Sequence, residues 1–219
     1  MREHERGPNL GPNLGPNLGA AGAALSEVSA FGANPGALRM FAYAPPAPRA
    51  PLVVLLHGCG QTAAAYAHGA GWLDLAARLG FALLAPEQTK QNNLNGCFNW
   101  FTPEDVARTG GEAESIRAMI AAMIDAHALD PARVYVTGLS AGGAMSVALL
   151  AAYPEVFAAG AAIAGLAYRS AETMQQALGA MMQGRKRPPE DWGARVRAAS
   201  PHAGPWPRIS IWHGTGDVV

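Results

Sequence analysis

A strand, a glycine-flanked turn and an apolar helix follow one another directly in this chain. Residues 133–137 (RVYVT) have the β-branched and aromatic character of a strand, and residues 144–152 are typical of a packed helix. Residues 138–142 between them read Gly-Leu-Ser-Ala-Gly, the G-x-S-x-G pattern of a nucleophile elbow. Such a sharp turn strains its central residue and requires small neighbours. The pattern predicts that the Ser140 hydroxyl points outward at the helix N-terminus, where negative charge is favoured.

The five-residue pattern has a simpler interpretation as well. A sequence with 26 glycines can contain it by chance, and the serine would then only cap the helix. The order of strand, elbow and helix favours the nucleophile, and so does the turn that Asp130 and Pro131 predict before the strand.

Strands and helices alternate along most of the sequence. The patterns predict strands over residues 52–56, 81–85, 133–137, 157–163 and 209–212, and helices over residues 71–79, 112–127 and 144–152. The run LVVLL at residues 52–56 is typical of a strand that is covered on both faces. The strand predicted over residues 81–85 is expected to end at Pro86. Alternation of this kind predicts an α/β fold, a mostly parallel sheet with helices on both faces.

The protein is expected to hold one folded domain behind a disordered tail. Gly-Pro-Asn-Leu occurs three times between residues 7 and 18, and this density of proline and glycine predicts disorder over residues 1–24. Residues 25–219 are expected to form the catalytic domain. Residues 165–207 break the alternation with methionines, tryptophans and prolines, which predicts a lid-like insertion that either contacts substrate or only covers the sheet.

Charge and composition exclude several classes of partner. Sixteen basic and sixteen acidic residues give a net charge of zero, which favours neither nucleic acid nor an anionic membrane as a partner. The sequence has no apolar run of ~18 residues, so no transmembrane helix is expected. His, Cys, Asp and Glu do not cluster at metal-ligand spacing, so no metal and no organic cofactor are predicted.

The loop after the first apolar strand is a candidate oxyanion loop. Residues 57–61 read His-Gly-Cys-Gly-Gln, and their small residues allow close approach of the backbone to a substrate carbonyl. In enzymes built on this elbow, one oxyanion-hole N–H comes from such a loop and the other from the residue after the nucleophile. The amides near Cys59 and of Ala141 are therefore the predicted oxyanion donors. His57 is expected to brace the loop by hydrogen bonding rather than to act as the base.

Several motifs in a fixed order resemble one known family. They are residues 56–62 (LHGCGQT), 86–88 (PEQ), 95–101 (NGCFNWF), 130–145 around the elbow, and 212–217 (WHGTGD). Over about residues 38–219 the sequence resembles the polyhydroxybutyrate depolymerase family of esterases, which is related to feruloyl and acetylxylan esterases. The resemblance implies an α/β-hydrolase fold and ester hydrolysis in an extracellular setting.

The resemblance also bears on the two cysteines. From the residues alone, Cys59 and Cys97 would be two buried free thiols of a cytoplasmic protein. The family commonly pairs cysteines placed in this way, which implies a Cys59–Cys97 disulfide and an oxidising compartment. The first residues contain no apolar stretch of a secretory signal, so a cytoplasmic location remains the alternative.

Asp217 is the predicted acid of a catalytic triad, but its histidine is not evident. Asp217 follows an expected buried strand through a tight turn, although an ordinary turn aspartate is the alternative. In this fold the base follows the acid. None of the candidate histidines has the expected place: His4, His68, His127, His202 and His213. The triad histidine is therefore expected beyond Val219, which would make this protein truncated at its C-terminus and nearly inactive as written.

The expected activity is hydrolysis of carboxylic esters through an acyl-enzyme on Ser140. The resemblance implies polyhydroxybutyrate-type or short 3-hydroxyalkanoate esters as substrates, either as small esters or as the polymer itself. The aromatic residues 98–101 either bind such a substrate or simply pack in the core. The alternatives are a feruloyl or acetylxylan carbohydrate esterase, a peptidase, and a catalytically dead hydrolase-like fragment that binds a partner or folds poorly. The sequence does not fix the oligomeric state.

Overall fold

The computed structural model describes residues 23–217, so the predicted tail over residues 1–24 falls almost wholly outside the described part. The strands of the described part are β1 (Ser26–Val28), β2 (Arg39–Tyr43), β3 (Leu52–Leu56), β4 (Ala82–Glu87), β5 (Val134–Leu139), β6 (Ala159–Ile163) and β7 (Arg208–Trp212). The helices are α1 (Ala63–Gly69), α2 (Trp72–Leu79), α3 (Glu112–His127), α4 (Ala141–Ala152), α5 (Met174–Gln183) and α6 (Pro189–Arg197). None of these helices is long and apolar enough to cross a membrane.

All the described strands belong to a single sheet of order β1-β2-β4-β3-β5-β6-β7. The pairs β1–β2 and β2–β4 are antiparallel, and the pairs from β4 through β3, β5 and β6 to β7 are parallel. The mostly parallel sheet confirms the predicted fold class. In the central pair, Leu56 of β3 lies opposite Gly138 of β5, so the loops after both strands leave the sheet at the same level.

The core forms where the apolar elements cover the centre of the sheet. Every residue of β4 is buried, and α4 is buried on nearly all sides because it packs against β5 and β6 while α3 and α6 touch it from outside. Met119 and Ile120 of α3 and Met145 and Leu149 of α4 are fully buried in this core.

Two predicted boundaries are wrong for local reasons. Strand β4 passes through Pro86 because β2 continues to pair with Pro86 and Glu87, whereas the parallel ladder with β3 ends at Leu84 and does not need the missing N–H of Pro86. Helix α4 begins at Ala141, three residues before the predicted start, because Gly142 and Gly143 already belong to its first turn.

The expectation of a buried strand before Asp217 is also wrong. All five residues of β7 are exposed, and the side chains of Ile211 and Trp212 are 66% and 64% exposed. Strand β7 is the last in the order of the sheet, so one of its edges has no neighbouring strand among the described residues. The insertion predicted over residues 165–207 contains α5 and α6.

Candidate active site

Ser140 lies at the junction of β5 and α4 in a strained conformation. Its backbone angles are φ 55° and ψ −116°, a region that non-glycine residues rarely adopt. The turn is held by two backbone hydrogen bonds, from the Ser140 N–H to the Ile163 carbonyl at 2.9 Å and from the Ala144 N–H to the Ser140 carbonyl at 2.9 Å. The side chain makes no capping hydrogen bond with α4, which excludes the alternative of a serine that only caps the helix.

The two glycines of the elbow are required by close backbone contacts. A Cβ on Gly142 would lie 2.2 Å from the carbonyl oxygen of Leu56, and one on Gly138 would lie 2.4 Å from the Gly142 carbonyl. The elbow therefore packs directly against the end of β3, from which the predicted oxyanion loop leaves the sheet.

The loop of residues 57–61 lies beside the nucleophile. A Cβ on Gly58 would be 3.7 Å from the Ser140 Cβ, and the Gly58 N–H is held by the Gln61 Oε1 at 2.8 Å. Within residues 23–217, the N–H groups of Cys59 and Ala141 donate no hydrogen bond. These two amides therefore have no acceptor among the described residues.

His57 braces this loop from the protein interior. The backbone N–H of Gln88 donates to His57 Nε2 at 3.1 Å, so this nitrogen carries no proton and Nδ1 donates to the Gly58 carbonyl at 2.8 Å. Burial lowers the pKa of His57 and keeps the ring neutral, and the ring lies 4.8 Å from that of Phe98. The structure confirms the predicted hydrogen-bonding role, which occupies both ring nitrogens.

Cys59 and Cys97 form a disulfide, as the family resemblance implied. The bond closes a loop of 38 residues and joins the oxyanion loop to the segment before the aromatic residues. Phe98, Trp100 and Phe101 of that segment are buried in the core, which supports the core-packing interpretation of these residues.

The double variant Cys59→Ser, Cys97→Ser is expected to lower the free energy of unfolding by about 4 kcal/mol, because the bond restricts a long loop in the unfolded protein. Urea unfolding followed by circular dichroism measures this loss. As the control, a reductant should lower the stability of the unsubstituted protein to the level of the variant and leave the variant unchanged. Equal stability of the two oxidised proteins would contradict the prediction.

Asp217 lies beyond β7, at the same end of the sheet as the elbow but two strands away from it. Its N–H donates to the Gly214 carbonyl at 3.1 Å, and its Oδ2 lies 3.6 Å from His213 Nδ1. A cavity of about 400 Å³ includes both side chains. Its other lining residues come from the loop after β6 and from the predicted insertion, among them Leu166, Met181, Arg185 and Trp192.

No described histidine forms a hydrogen bond with Ser140. His57 is buried, and both of its ring nitrogens are hydrogen-bonded to the backbone. His202 contacts the Pro205 carbonyl at 3.0 Å, and His213 lies beside the Asp217 carboxyl group. His4 lies outside the described residues. Among the predicted site residues, Ala141 follows Ser140 directly, Cys59 follows Gly58 in the loop that approaches Ser140, and Asp217 lies two strands away from the elbow along the sheet.

A buried acid, Glu112, was missed by sequence reasoning. It is the first residue of α3, it is fully buried, and its two side-chain oxygens accept hydrogen bonds from Gln88 Nε2 at 2.5 Å and from the Asn99 N–H at 2.9 Å. Burial, together with the nearby Asp105, raises the pKa of Glu112 to about 8. Only the three-residue motif PEQ around Gln88, shared with the resembled family, marked this region in the sequence.

The raised pKa predicts a pH dependence of stability that Glu112→Gln removes. The folded protein retains the Glu112 proton up to about pH 8, whereas the unfolded protein loses it near the ordinary value of 4.5, so stability falls as the pH rises between these values. The slope from this group is at most about 1.4 kcal/mol per pH unit. Melting temperatures measured across this range should fall less steeply for the variant, and identical slopes would contradict the assignment.

Comparison with known proteins agrees with this geometry. The model of the family described as Esterase PHB depolymerase matches residues 38–218. The poly(3-hydroxyalkanoate) depolymerase C of Paucimonas lemoignei is 50% identical over 200 residues, which are 90% of this chain and 48% of that protein. A feruloyl esterase B of Talaromyces stipitatus is 35% identical over 207 residues, which are 90% of this chain and 57% of that protein.

A solved structure shows the same fold. The acetyl xylan esterase from Aspergillus awamori superposes with a TM-score of 0.81 at 27% identity, covering 89% of this chain and 74% of that one. The mixed sheet with its elbow is therefore an α/β-hydrolase fold. The chain spans about half the length of the curated relatives it matches. On the strength of the family match and of these relatives, the chain belongs to the PHB depolymerase family of esterases.

Proposed function

We propose that this protein carries the catalytic machinery of a serine esterase that cleaves carboxylic esters through an acyl-enzyme on Ser140. The observation that carries the proposal is the strained Ser140 with the unengaged amides of Cys59 and Ala141 beside it. This arrangement suits acyl transfer, in which a nucleophile attacks a carbonyl carbon while nearby N–H groups stabilise the oxygen that becomes negative.

In the proposed reaction the Ser140 Oγ attacks the ester carbonyl carbon as a base removes its proton. The carbonyl oxygen becomes an oxyanion that accepts hydrogen bonds from the Cys59 and Ala141 amides, each worth about 3 kcal/mol when well aimed. The base then gives its proton to the leaving alcohol, and an acyl-enzyme remains. Water attacks this ester in the same way, releases the acid and restores the serine. None of these steps requires a metal or an organic cofactor.

The base is proposed to be a histidine beyond Val219, oriented by Asp217, because in this fold the base follows the acid along the chain. Two observations support this: no described histidine hydrogen-bonds to Ser140, and Asp217 lies at the same end of the sheet as the elbow. The 219-residue protein should therefore hydrolyse p-nitrophenyl butyrate slowly, and added imidazole should increase the Ser140-dependent rate. Rapid turnover without imidazole would contradict the proposal that the base lies outside this protein. If no Ser140-dependent turnover were seen with or without imidazole, the proposed esterase activity would be contradicted.

The proposed substrates are esters of 3-hydroxyalkanoates, either as oligomers or as the polymer. Support comes from the depolymerase, which has 50% identity to this protein, whereas the feruloyl esterase has 35%. The cavity beside Asp217 is the proposed binding site for the acyl group, with the insertion over residues 165–207 acting as its lid. Feruloyl or acetylxylan esters are the second candidate, because relatives named for those activities match the same part of the sequence.

Hydrolysis of a 3-hydroxybutyrate oligomer is expected to be faster than that of methyl ferulate or of an acetylated xylan fragment. The three substrates are compared with imidazole present, and the background is measured with Ser140→Ala. The variant Trp192→Ala removes an aromatic side chain from the cavity and should raise KM for the oligomer more than it lowers kcat, because it weakens binding rather than chemistry. A preference for methyl ferulate would favour the second candidate.

The disulfide supports an extracellular location. Disulfides persist in oxidising compartments and are rare in the cytoplasm, and here the bond joins the loop that carries a proposed oxyanion donor.

A further inference from the structure

A series of buried hydrogen bonds leads from helix α3 to the oxyanion loop. Glu112 Oε1 accepts from the Gln88 side-chain Nε2 at 2.5 Å, and the Gln88 backbone N–H donates to His57 Nε2 at 3.1 Å. The opposite ring nitrogen of His57 donates to the Gly58 carbonyl at 2.8 Å. A carboxylate on α3 is thus connected to the loop beside Ser140 through one glutamine and one imidazole.

Hydrogen bonds fix the orientation of the Gln88 side-chain amide in this network. Its Oε1 accepts from the Thr89 N–H at 2.9 Å and from Asn92 Nδ2 at 3.1 Å, while its Nε2 donates to the Cys97 carbonyl at 3.0 Å as well as to Glu112. Reversal of the amide would turn its NH₂ group towards two other donors. The residue at position 112 must therefore accept.

Glu112 is held firmly and without a basic partner. Its second oxygen accepts from the Asn99 N–H at 2.9 Å, and none of its hydrogen-bond partners is a lysine or arginine. Its backbone N–H donates to Asp105 Oδ1 at 3.2 Å. Its Cα lies close to Gly36, so a Cβ on Gly36 would be only 2.5 Å from the Glu112 Cα. The two donors bind different oxygens of Glu112, and a glutamine at this position would place an NH₂ group opposite one of them.

We propose that Glu112 is a positioning residue that, through Gln88, aims the Cys59 amide at the oxyanion. Gln88 contacts the Cys97 carbonyl next to the disulfide and the imidazole that holds Gly58. A shift of Gln88 would therefore displace two groups attached to Cys59: Gly58, which precedes it in the loop, and Cys97, which is its disulfide partner. The proposal rests on the proposed function of the loop, but Glu112 itself touches neither substrate nor Ser140.

The test compares Glu112→Gln with Glu114→Gln in the 219-residue protein at about pH 9, above the Glu112 pKa of about 8. Glu114 is a matched control, because it lies on the same helix, is partly exposed and accepts only from the Gly110 N–H at 2.6 Å. Carbon-detected NMR reports the backbone nitrogen and carbonyl resonances of Gly58 and Cys59 without relying on amide protons, which exchange with water at this pH, and the ring C–H protons report the His57 nitrogens. These resonances should shift in Glu112→Gln and stay in place in Glu114→Gln.

The second readout is the rate at which a fluorophosphonate labels Ser140 with imidazole present. The rate should fall about tenfold in Glu112→Gln, since a displaced oxyanion donor weakens transition-state stabilisation, and it should be unchanged in Glu114→Gln. Resonances and labelling rates that agree between the two variants would overturn the positioning role. A wild-type protein that is not labelled at all would contradict the proposed function, whereas the NMR comparison decides the positioning role in either case.

A titration of the wild-type protein keeps the test informative if Glu112→Gln does not fold. The Gly58 and Cys59 amide resonances should follow the ionisation of Glu112 between about pH 6 and about pH 9, and constant resonances would overturn the proposal. The other titratable or charged groups around the network are Asp105, His57, Glu87 and Arg39. The Glu112 resonance, followed by carbon-detected NMR, identifies which transition belongs to it.

Discussion

Replacement of Ser140 by alanine is expected to reduce ester hydrolysis at least about a thousandfold and to abolish labelling by a fluorophosphonate. The reason is that the acyl-enzyme cannot form without the hydroxyl, and the oxyanion donors alone give only residual catalysis. Stability should change little, because the Ser140 side chain makes no capping bond and alanine meets the same backbone strain. Turnover of p-nitrophenyl butyrate with imidazole, together with mass spectrometry of the labelled protein, measures the loss.

Ser146→Ala is the matched control for this variant. Ser146 lies on the same helix, and its hydroxyl donates to the Gly142 carbonyl at 2.8 Å in the buried interior, away from the oxyanion loop. It should keep both labelling and turnover within a few-fold of wild type. If Ser140→Ala retained the imidazole-dependent activity, or if the label were found on another residue, Ser140 would not be the nucleophile.

Gly142→Ala is expected to lower the free energy of unfolding by at least about 4 kcal/mol, a large part of the roughly 5–15 kcal/mol that stabilises a typical domain. The added Cβ would lie 2.2 Å from the Leu56 carbonyl oxygen and 2.6 Å from that of His57. Both are backbone atoms at the end of a central strand, so they cannot move aside as a flexible side chain would. Urea unfolding and the yield of soluble protein measure the effect.

Gly179→Ala provides the control for a glycine inside a helix. Gly179 lies in α5, where an added Cβ meets no atom within 4 Å. Alanine should stabilise this helix by about 0.5–1 kcal/mol, because glycine has the lower helix propensity. If Gly142→Ala lowers the free energy of unfolding and Gly179→Ala raises it, the loss at Gly142 is due to close packing. Equal changes in the two variants would contradict that explanation.

The parts of the fold that depend on local pattern were predictable from the sequence. The strands of the central sheet and helix α3 follow from apolar runs and helical spacing, and the elbow at Ser140 follows from a motif whose glycines have a steric reason. Short β1 and β2 were not predicted, and neither was α1, since their residues carry little periodicity. Thr62 caps helix α1, because its hydroxyl accepts from the Ala65 N–H at 3.1 Å. This cap could be recognised only after the position of the loop at residues 57–61 was known.

The parts that depend on distant partners were not predictable in the same way. The exposure of β7 depends on what packs against its outer face, and the sequence of an apolar strand does not contain that information. The role of Glu112 depends on donors from Gln88 and Asn99, which are 24 and 13 residues away along the sequence. The pairing of Cys59 with Cys97 was available only through the family resemblance, because two cysteines alone do not reveal whether they meet.

The pairing of Leu56 with Gly138 limits where insertions and deletions can be tolerated. One residue added to either strand would displace the following loop by about 3.3 Å along the strand and would turn its side chains to the opposite face. The Cys59 amide and the Ser140 hydroxyl would then no longer meet at one carbonyl. Length variation among natural sequences should therefore be absent between residues 52–59 and 134–142 and should accumulate in exposed connections such as residues 46–48.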